Sequence, residues 1–270
     1  MSARTGIDGN ALARLAALAS TSTGFSADAI LEDRLRGAAD ELLAGYTVEE
    51  LLDRAARYDP VILDGLARAV SVGETWFFRQ PEHFRFLRAR LLPDLLRAGR
   101  ERLRIWSAGC ASGEEAWSLA STVADCAPGV PAEVLGTDLL IRNVEAARRG
   151  VYRPWSRRDV GPILHPLFAP GDTFITIDPA LRPLVRFERH NLLDPPPQGP
   201  FDLIFCRQVL IYFSPEAASH ALAHLMSAVA PGGALVFGPL DLADAPAGFW
   251  RVGPPELQIF RRGAPAGRLP

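Results

Sequence analysis

The sequence contains no lysine, so all 29 of its basic side chains are arginine. Against 31 acidic residues they leave a net charge of −2, which advertises neither nucleic acid nor an anionic membrane as a partner. Cysteine is scarce. Cys110, Cys126 and Cys206 are odd in number and lack metal-ligand spacing, which argues against a disulfide scaffold and for a reducing, cytoplasmic compartment. No apolar run approaches membrane-spanning length, so membrane insertion is not expected. Residues 11–20 are apolar, but Arg14 interrupts them and no basic leader precedes them, so they do not read as a secretory signal. The five histidines (His83, His165, His190, His220, His224) form no ligand set, and no metal is expected. His220 and His224 are four apart, a pairing more often found on a helix surface than on a metal. What the chain does have is 48% hydrophobic residues over 270 positions, enough for one large domain and a small one.

The organising stretch is Leu103 to Ala120, LRIWSAGCASGEEAWSLA. An apolar run ends in a small-residue loop holding Gly109 and Gly113, and a helical pattern with Ala116, Trp117, Leu119 and Ala120 follows at once. Strand, glycine turn and helix mark the entry to a nucleotide-type site in an open α/β sheet. A phosphate-binding turn keeps its helix start free for an anion. Here Glu114 and Glu115 occupy that first turn, where they suit the helix dipole but would repel a pyrophosphate. The spacing Gly-x-x-x-Gly also differs from the Gly-x-Gly-x-x-Gly of dinucleotide binders. A ligand with a ribose, no phosphate and a positive charge fits better, and S-adenosylmethionine is that ligand.

Residues 1–70 read as a small all-α domain, with Thr47 and Glu50 spaced as a capping box. Residues 71–98 read as a linker and connecting helix. Within it Thr75 and Arg79 would share a face of a helix, while Trp76, Phe77 and Phe78 could anchor one domain to the next. Residues 99–262 continue in βα rhythm: Glu133–Thr137, Leu184–Arg189, Phe201–Cys206 and Ala234–Phe237 read as strands, and Glu256–Arg262 as part of a closing hairpin. Residues 151–182, with a short strand at Thr173–Ile177, interrupt the rhythm as an insertion, and 263–270 read as a disordered tail. Asp138 ends the second strand, where an acidic side chain can take ribose hydroxyls. It could equally cap the helix that follows, but its spacing from the glycine turn favours ribose.

Several blocks stand in one order: Glu74-Thr-Trp-Phe-Phe-Arg79 with Pro81 and Phe84, then Trp106-Ser-Ala-Gly-Cys-Ala-Ser-Gly-Glu-Glu115 and Gly136-Thr-Asp138. Gly150-Val-Tyr-Arg153, Asn191-Leu-Leu193 and Phe201-Asp-Leu-Ile-Phe-Cys-Arg207, running into Ile211-Tyr-Phe213, complete the set. In these, over roughly residues 25–262, the chain resembles the CheR family, methyltransferases that esterify glutamates of bacterial chemoreceptors with S-adenosylmethionine. The resemblance implies an α/β, Rossmann-like methyltransferase domain with an inserted small β-subdomain, preceded by a small all-α domain. It implies Thr75 and Arg79 over the cofactor, Gly109 in the glycine turn and Glu115 at the cofactor's amino-acid end. Asp138 would take the ribose, Asn191 and Leu192 would flank the adenine, and Arg207 with Gln208 would lie by the methionine part. Arg79 is expected to orient the acceptor carboxylate and Tyr212 to shape the transfer channel. The implied partner is the cytoplasmic helical domain of a chemoreceptor-like protein.

The chain also departs from the family pattern. Gly73 and Gln208 stand where asparagine is usual, and Gly238-Pro-Leu-Asp241 replaces Gly-His-Ser-Glu. Residues 1–70 hold 7 arginines against 11 acids, whereas the family docks acidic receptor helices on a basic helix face. The insertion lacks an obvious glycine-rich loop of the kind that holds a receptor's C-terminal peptide, so that tether is not expected. A different protein or small-molecule acceptor, or a non-catalytic S-adenosylmethionine-binding module, therefore stays open alongside glutamate methylation.

Overall fold

The structure, a computed structural model, describes residues 7–26, 32–57, 59–70, 73–158, 167–169, 174–242 and 244–263. The chain divides into two units, one of residues 1–72 with 212–221, the other of residues 73–211 with 222–270.

Among the described residues the first unit holds α1 (Gly9–Thr23), α2 (Glu32–Leu42), α3 (Val48–Ala56) and α4 (Pro60–Val70). Asp8 caps α1 by accepting the Ala11 N–H at 2.7 Å, and Gly24 ends it at φ 85°, a left-handed conformation that glycine adopts without steric cost. The capping box forms. Thr47 Oγ1 accepts the Glu50 N–H at 3.2 Å while Glu50 accepts the Thr47 N–H at 2.8 Å. Leu15, Ala19, Leu35, Leu51, Ile62 and Leu66 are buried, so each helix contributes an apolar stripe to one small core.

The second unit opens with the linker. Residues 73–80 carry no helix, so Thr75 and Arg79 do not share a helical face. Phe77 and Phe78 drive the chain inward instead. Phe77 meets Tyr152 and Phe168 edge-on, both at 4.9 Å, and Phe78 meets Phe84 at 5.0 Å. The connecting helix is interrupted: α5 (Pro81–Phe86), a π-helical turn (Leu87–Leu91) and α6 (Leu92–Arg97).

The sheet then forms from β1 (Leu103–Ala108), α7 (Glu114–Cys126), β2 (Ala132–Asp138) and α8 (Ile141–Arg149). A small antiparallel sheet of β3 (Val151–Tyr152), β4 (Phe168–Ala169) and β5 (Ile175–Ile177) is inserted next, in the order β3-β5-β4. Thr173, the expected start of the inserted strand, lies outside the described residues, as does nearly all of the expected tail. The main sheet resumes with β6 (Val185–Arg189) and β7 (Phe201–Cys206). Helix α9 (Pro215–Ala228), β8 (Val229–Phe237), β9 (Phe249–Arg251) and β10 (Ile259–Arg262) complete it. Its order is β6-β2-β1-β7-β8-β10-β9, with β6 to β8 parallel and β10 antiparallel to both β8 and β9. All six residues of β7 are buried, as its continuous apolar run requires when both faces are covered. The Pro231-Gly-Gly turn does not delay β8. The strand begins at Val229 and absorbs the turn as a register shift opposite Phe201 and Leu203.

Candidate functional site

In this strand order the chain leaves β1 in one direction towards β2 and β6 and returns on its other side as β7. The crevice at the carboxyl ends of β1 and β7 is the switch point where open α/β sheets bind ligands. Loops from β1, β2, β7 and β8 meet there.

The loop after β1 turns on Gly109 at φ 76° and Gly113 at φ 97°. A Cβ on Gly109 would lie 2.6 Å from Val209 Cγ2, and one on Gly113 would lie 2.5 Å from the Ala147 methyl. Both glycines are thus required by backbone conformation and by close approach. Glu114 and Glu115 then open α7. Glu114 is buried, accepts hydrogen bonds from the Ser112 and Ser156 hydroxyls at 2.7 and 3.2 Å, and has its carboxyl pushed up by burial. Glu115 accepts from the Ser107 hydroxyl at 2.7 Å and pairs with Arg207 at 3.0 Å.

Arg207, at the exit of β7, has only 2% of its side chain exposed. It also donates to Gln80 Oε1 at 2.6 Å and to the Arg79 carbonyl. The pair ties the glycine turn, the linker and the β7 exit into one cluster. Removing one member of such a buried pair strands the other charge. Arg207 Nε is buried with no partner.

Asp138 ends β2. Its carboxylate accepts from the Ala111 N–H at 2.9 Å, the Leu140 N–H at 3.0 Å and the Asn143 amide at 2.9 Å. Burial raises its carboxyl above the ordinary range against the pull of those donors. The helix-cap alternative is not what the side chain does. Leu140 is the cap residue of α8, without a side-chain cap bond, and Asp138 instead joins the β1 and β2 loops. A carboxylate has about four acceptor positions, and the loops use three of them.

Thr75 is buried. The Arg79 guanidinium donates to the Glu74 carbonyl at 2.7 Å and lies 4.6 Å from the Trp76 ring centre. Asn191 accepts the Leu193 N–H at 3.1 Å, and the Leu192 carbonyl is 3.2 Å from His224 Nδ1. Tyr212 groups with the first unit, where its ring stacks on Phe25 at 6.1 Å. Thr75, Arg79, Gly109, Glu115, Asp138, Arg207 and Gln208 thus belong to the linker and loops of the second unit, while Tyr212 belongs to the first. Among the described residues no group of three or more His, Cys, Asp or Glu could hold a metal.

Asp241 was not singled out by sequence reasoning as a site residue. Its buried carboxylate accepts four backbone N–H groups, from Gln208 at 2.6 Å, Gly238 at 2.7 Å, Val209 at 3.0 Å and Ile211 at 3.3 Å. It therefore clamps the β8 exit to the loop after Arg207. Gln208 sits at φ 58°, and Gly238 has no room for a Cβ, which would meet Gln208 Nε2 at 2.6 Å. The sequence signal was the acidic last residue of Gly238-Pro-Leu-Asp241, an acid where the family also has one.

The donor set fits S-adenosylmethionine. The acidic helix start disfavours a phosphate, Asp138 uses three of its acceptor positions, and Arg207 Nε is a buried donor without a partner.

Residues 73–245 match the family described as "CheR methyltransferase, SAM binding domain". The chain is 35% identical over 202 residues to chemotaxis protein methyltransferase 1 of Pseudomonas aeruginosa, covering 70% of this chain and 73% of that protein. It is 36% identical over 219 residues to the probable biofilm formation methyltransferase WspC of the same organism, covering 77% and 51%. A 104.1 kDa protein of Rhodobacter capsulatus is 37% identical over 188 residues, 67% of this chain but only 20% of that much longer one. The match runs from Gly73, through the glycine turn and the Glu115–Arg207 cluster, past the Asp241 clamp: the chain belongs to the CheR methyltransferase family.

Proposed function

We propose that this protein transfers a methyl group to glutamate side-chain carboxylates of a chemoreceptor-type protein in the cytoplasm, giving glutamyl methyl esters. One observation carries the choice of acceptor: every carboxylate of the site is already engaged. Glu115 is held by Arg207 and Ser107, Glu114 by two serines, Asp138 by three donors and Asp241 by four. His83 has its pKa lowered to about 4, chiefly by burial, and its Nε2 faces the Phe237 and Leu257 carbonyls. Among the described residues these four carboxylates are held by the protein's own donors, which supports an acceptor that needs no general base. A glutamate acceptor needs none, because its carboxyl ionises near pH 4.3.

Bound S-adenosylmethionine supplies an electrophilic methyl group and leaves as S-adenosylhomocysteine. The chain's own residues bind, orient and exclude water. Glu115 and the Arg207 Nε would face the amino-acid end, Asp138 a ribose hydroxyl, and Asn191 with Leu192 the base, under Thr75. Arg79, held by Glu74 and Trp76, would orient the acceptor carboxylate without clamping it, because too tight a pair would blunt the nucleophile. The acceptor loses its charge as its new bond forms, so a site closed to water favours the transition state over the ions. Alignment supplies the rest, up to about 7–11 kcal/mol in well-oriented intramolecular reactions.

The test is transfer of radiolabelled methyl from S-adenosylmethionine to cytoplasmic domains of chemoreceptors, followed by alkali. A glutamyl ester releases its label as volatile methanol. Label that survives alkali, or no transfer to any receptor domain, would contradict the assignment and favour a different acceptor.

A further inference from the structure

A ladder of alternating guanidinium and aromatic groups runs outward from Arg79. Arg79 lies 4.6 Å from the Trp76 ring centre, the same ring takes Arg158 at 5.5 Å, and Arg158 lies 5.2 Å from the Trp155 ring centre. Trp155 stands on the short 3-10 turn Pro154–Arg157 and is 45% exposed. The segment Arg153-Pro-Trp-Ser-Arg-Arg158 places three exposed arginines around it, and Asp159, next in the sequence, lies outside the described residues. The carboxylate recorded with the ladder is Glu74, itself largely exposed and 3.5 Å from Arg158, and an exposed pair of that length contributes little.

The frame beneath is fixed. The Phe77 N–H donates to the Ser156 carbonyl at 2.9 Å, and the buried Ser156 hydroxyl donates to Glu114 at 3.2 Å. Linker, turn and α7 therefore hold the ladder in register with the candidate site. Stacking alone gives about 0.5–1 kcal/mol at an exposed cation–ring contact. Arg157, although exposed, lies 5.5 Å from the Phe168 ring centre, while the exposed Arg153 is left outside the ladder's stacking.

On the methyl-transfer reading above, we propose that the ladder from Arg79 through Trp76, Arg158 and Trp155 is the docking surface for an acidic segment of the methyl-accepting protein. Carboxylates flanking the acceptor glutamate pair with Arg158, Arg157 and Arg153, and their methylene stems lie on Trp155. The charge complements such a segment, and the ladder is continuous with Arg79, where the acceptor carboxylate arrives. Residues 1–70 carry 7 arginines against 11 acids, so that region is acidic as a whole.

The experiment measures binding of a fluorescein-labelled oligoglutamate peptide to the full chain by anisotropy, with S-adenosylhomocysteine present. Arg158→Glu is expected to weaken binding about fivefold or more and to flatten its salt dependence. Trp155→Ala weakens it as well, and Arg158→Gln falls between wild type and the charge reversal. Arg90→Glu, on the exposed side of the π-helical turn, is the control and should change binding less than about twofold. Cofactor affinity and melting temperature of each variant check that the fold is intact. Equal weakening by Arg90→Glu, or wild-type binding by Arg158→Glu and Arg158→Gln, would overturn the proposal. In turnover, Arg158→Glu should raise KM for an acidic receptor domain while sparing kcat, and an unchanged KM overturns it too. Peptide binding through the ladder without methylation of any acidic acceptor would instead refute the methyl-transfer reading and leave the docking surface standing.

Discussion

Phe78, Gln80, Ala111 and Gln208 share a feature rare for side chains larger than glycine, a left-handed backbone with φ between 47° and 58°. These four lie in the linker and strand-end loops that build the candidate site, while a fifth, Gln258 at φ 47°, precedes β10 away from it. The grouping of the four fits the tendency of strain to concentrate where function over-determines geometry. At Gln208 the residue type adds to the cost, because Asn tolerates this conformation better. Gln208→Asn is therefore expected to stabilise the protein by about 0.5–1 kcal/mol, read as a higher urea midpoint at unchanged slope. The buried Glu115–Arg207 pair sets the opposite expectation. Glu115→Ala leaves Arg207 charged and buried without its carboxylate, and should cost about 3–5 kcal/mol in urea denaturation. A loss under about 1 kcal/mol would mean that the pair is solvated in solution.

At the scale of elements, the loop after β7 is held by one carboxylate. Asp241→Asn keeps one acceptor oxygen for four N–H groups, so at least two are orphaned, at about 1–3 kcal/mol each. The expected result is a stability loss of at least about 2 kcal/mol together with weaker S-adenosylhomocysteine binding, while Asp241→Glu retains more of both. The glycine turn, the strand that ends in Asp138 and the both-faces-buried β7 were legible in the sequence, since local spacing and apolar runs encode them. The clamp was not, because Asp241 meets Gln208 across 33 residues and no periodicity links them. Residues 73–80 were not legible for a related reason. A four-residue spacing gives a shared face only on a helix, and burial of Phe77 against Tyr152 and Phe168 is a tertiary demand that local spacing does not encode. The ion pair of Glu115 with Arg207, 92 positions apart, was anticipated only as two separate residues near one ligand.

For the whole molecule, pH tests the packing of the linker helix on the sheet. His83 is buried against the β8 exit with its pKa lowered to about 4, by burial first and then by the Arg207 charge. The unfolded chain takes up this proton near pH 6.5 and the folded one does not until about 4. Its contribution is therefore fully present above pH 6.5 and is lost as pH falls towards 4. Between about pH 6.5 and 5 it should cost about 2 kcal/mol. His83→Gln should flatten the urea midpoint over that interval relative to wild type, whatever the buried carboxylates add in common to both. Identical pH slopes would place His83 in water.

The most direct measurement is calorimetric titration of the purified protein with S-adenosylmethionine and S-adenosylhomocysteine, repeated on Asp138→Asn. A switch-point site built from the glycine turn, Glu115, Arg207 and Asp138 predicts binding of about micromolar strength, weakened about tenfold or more by the substitution. A well-folded protein that binds neither compound, or that binds both equally well after Asp138→Asn, would contradict it.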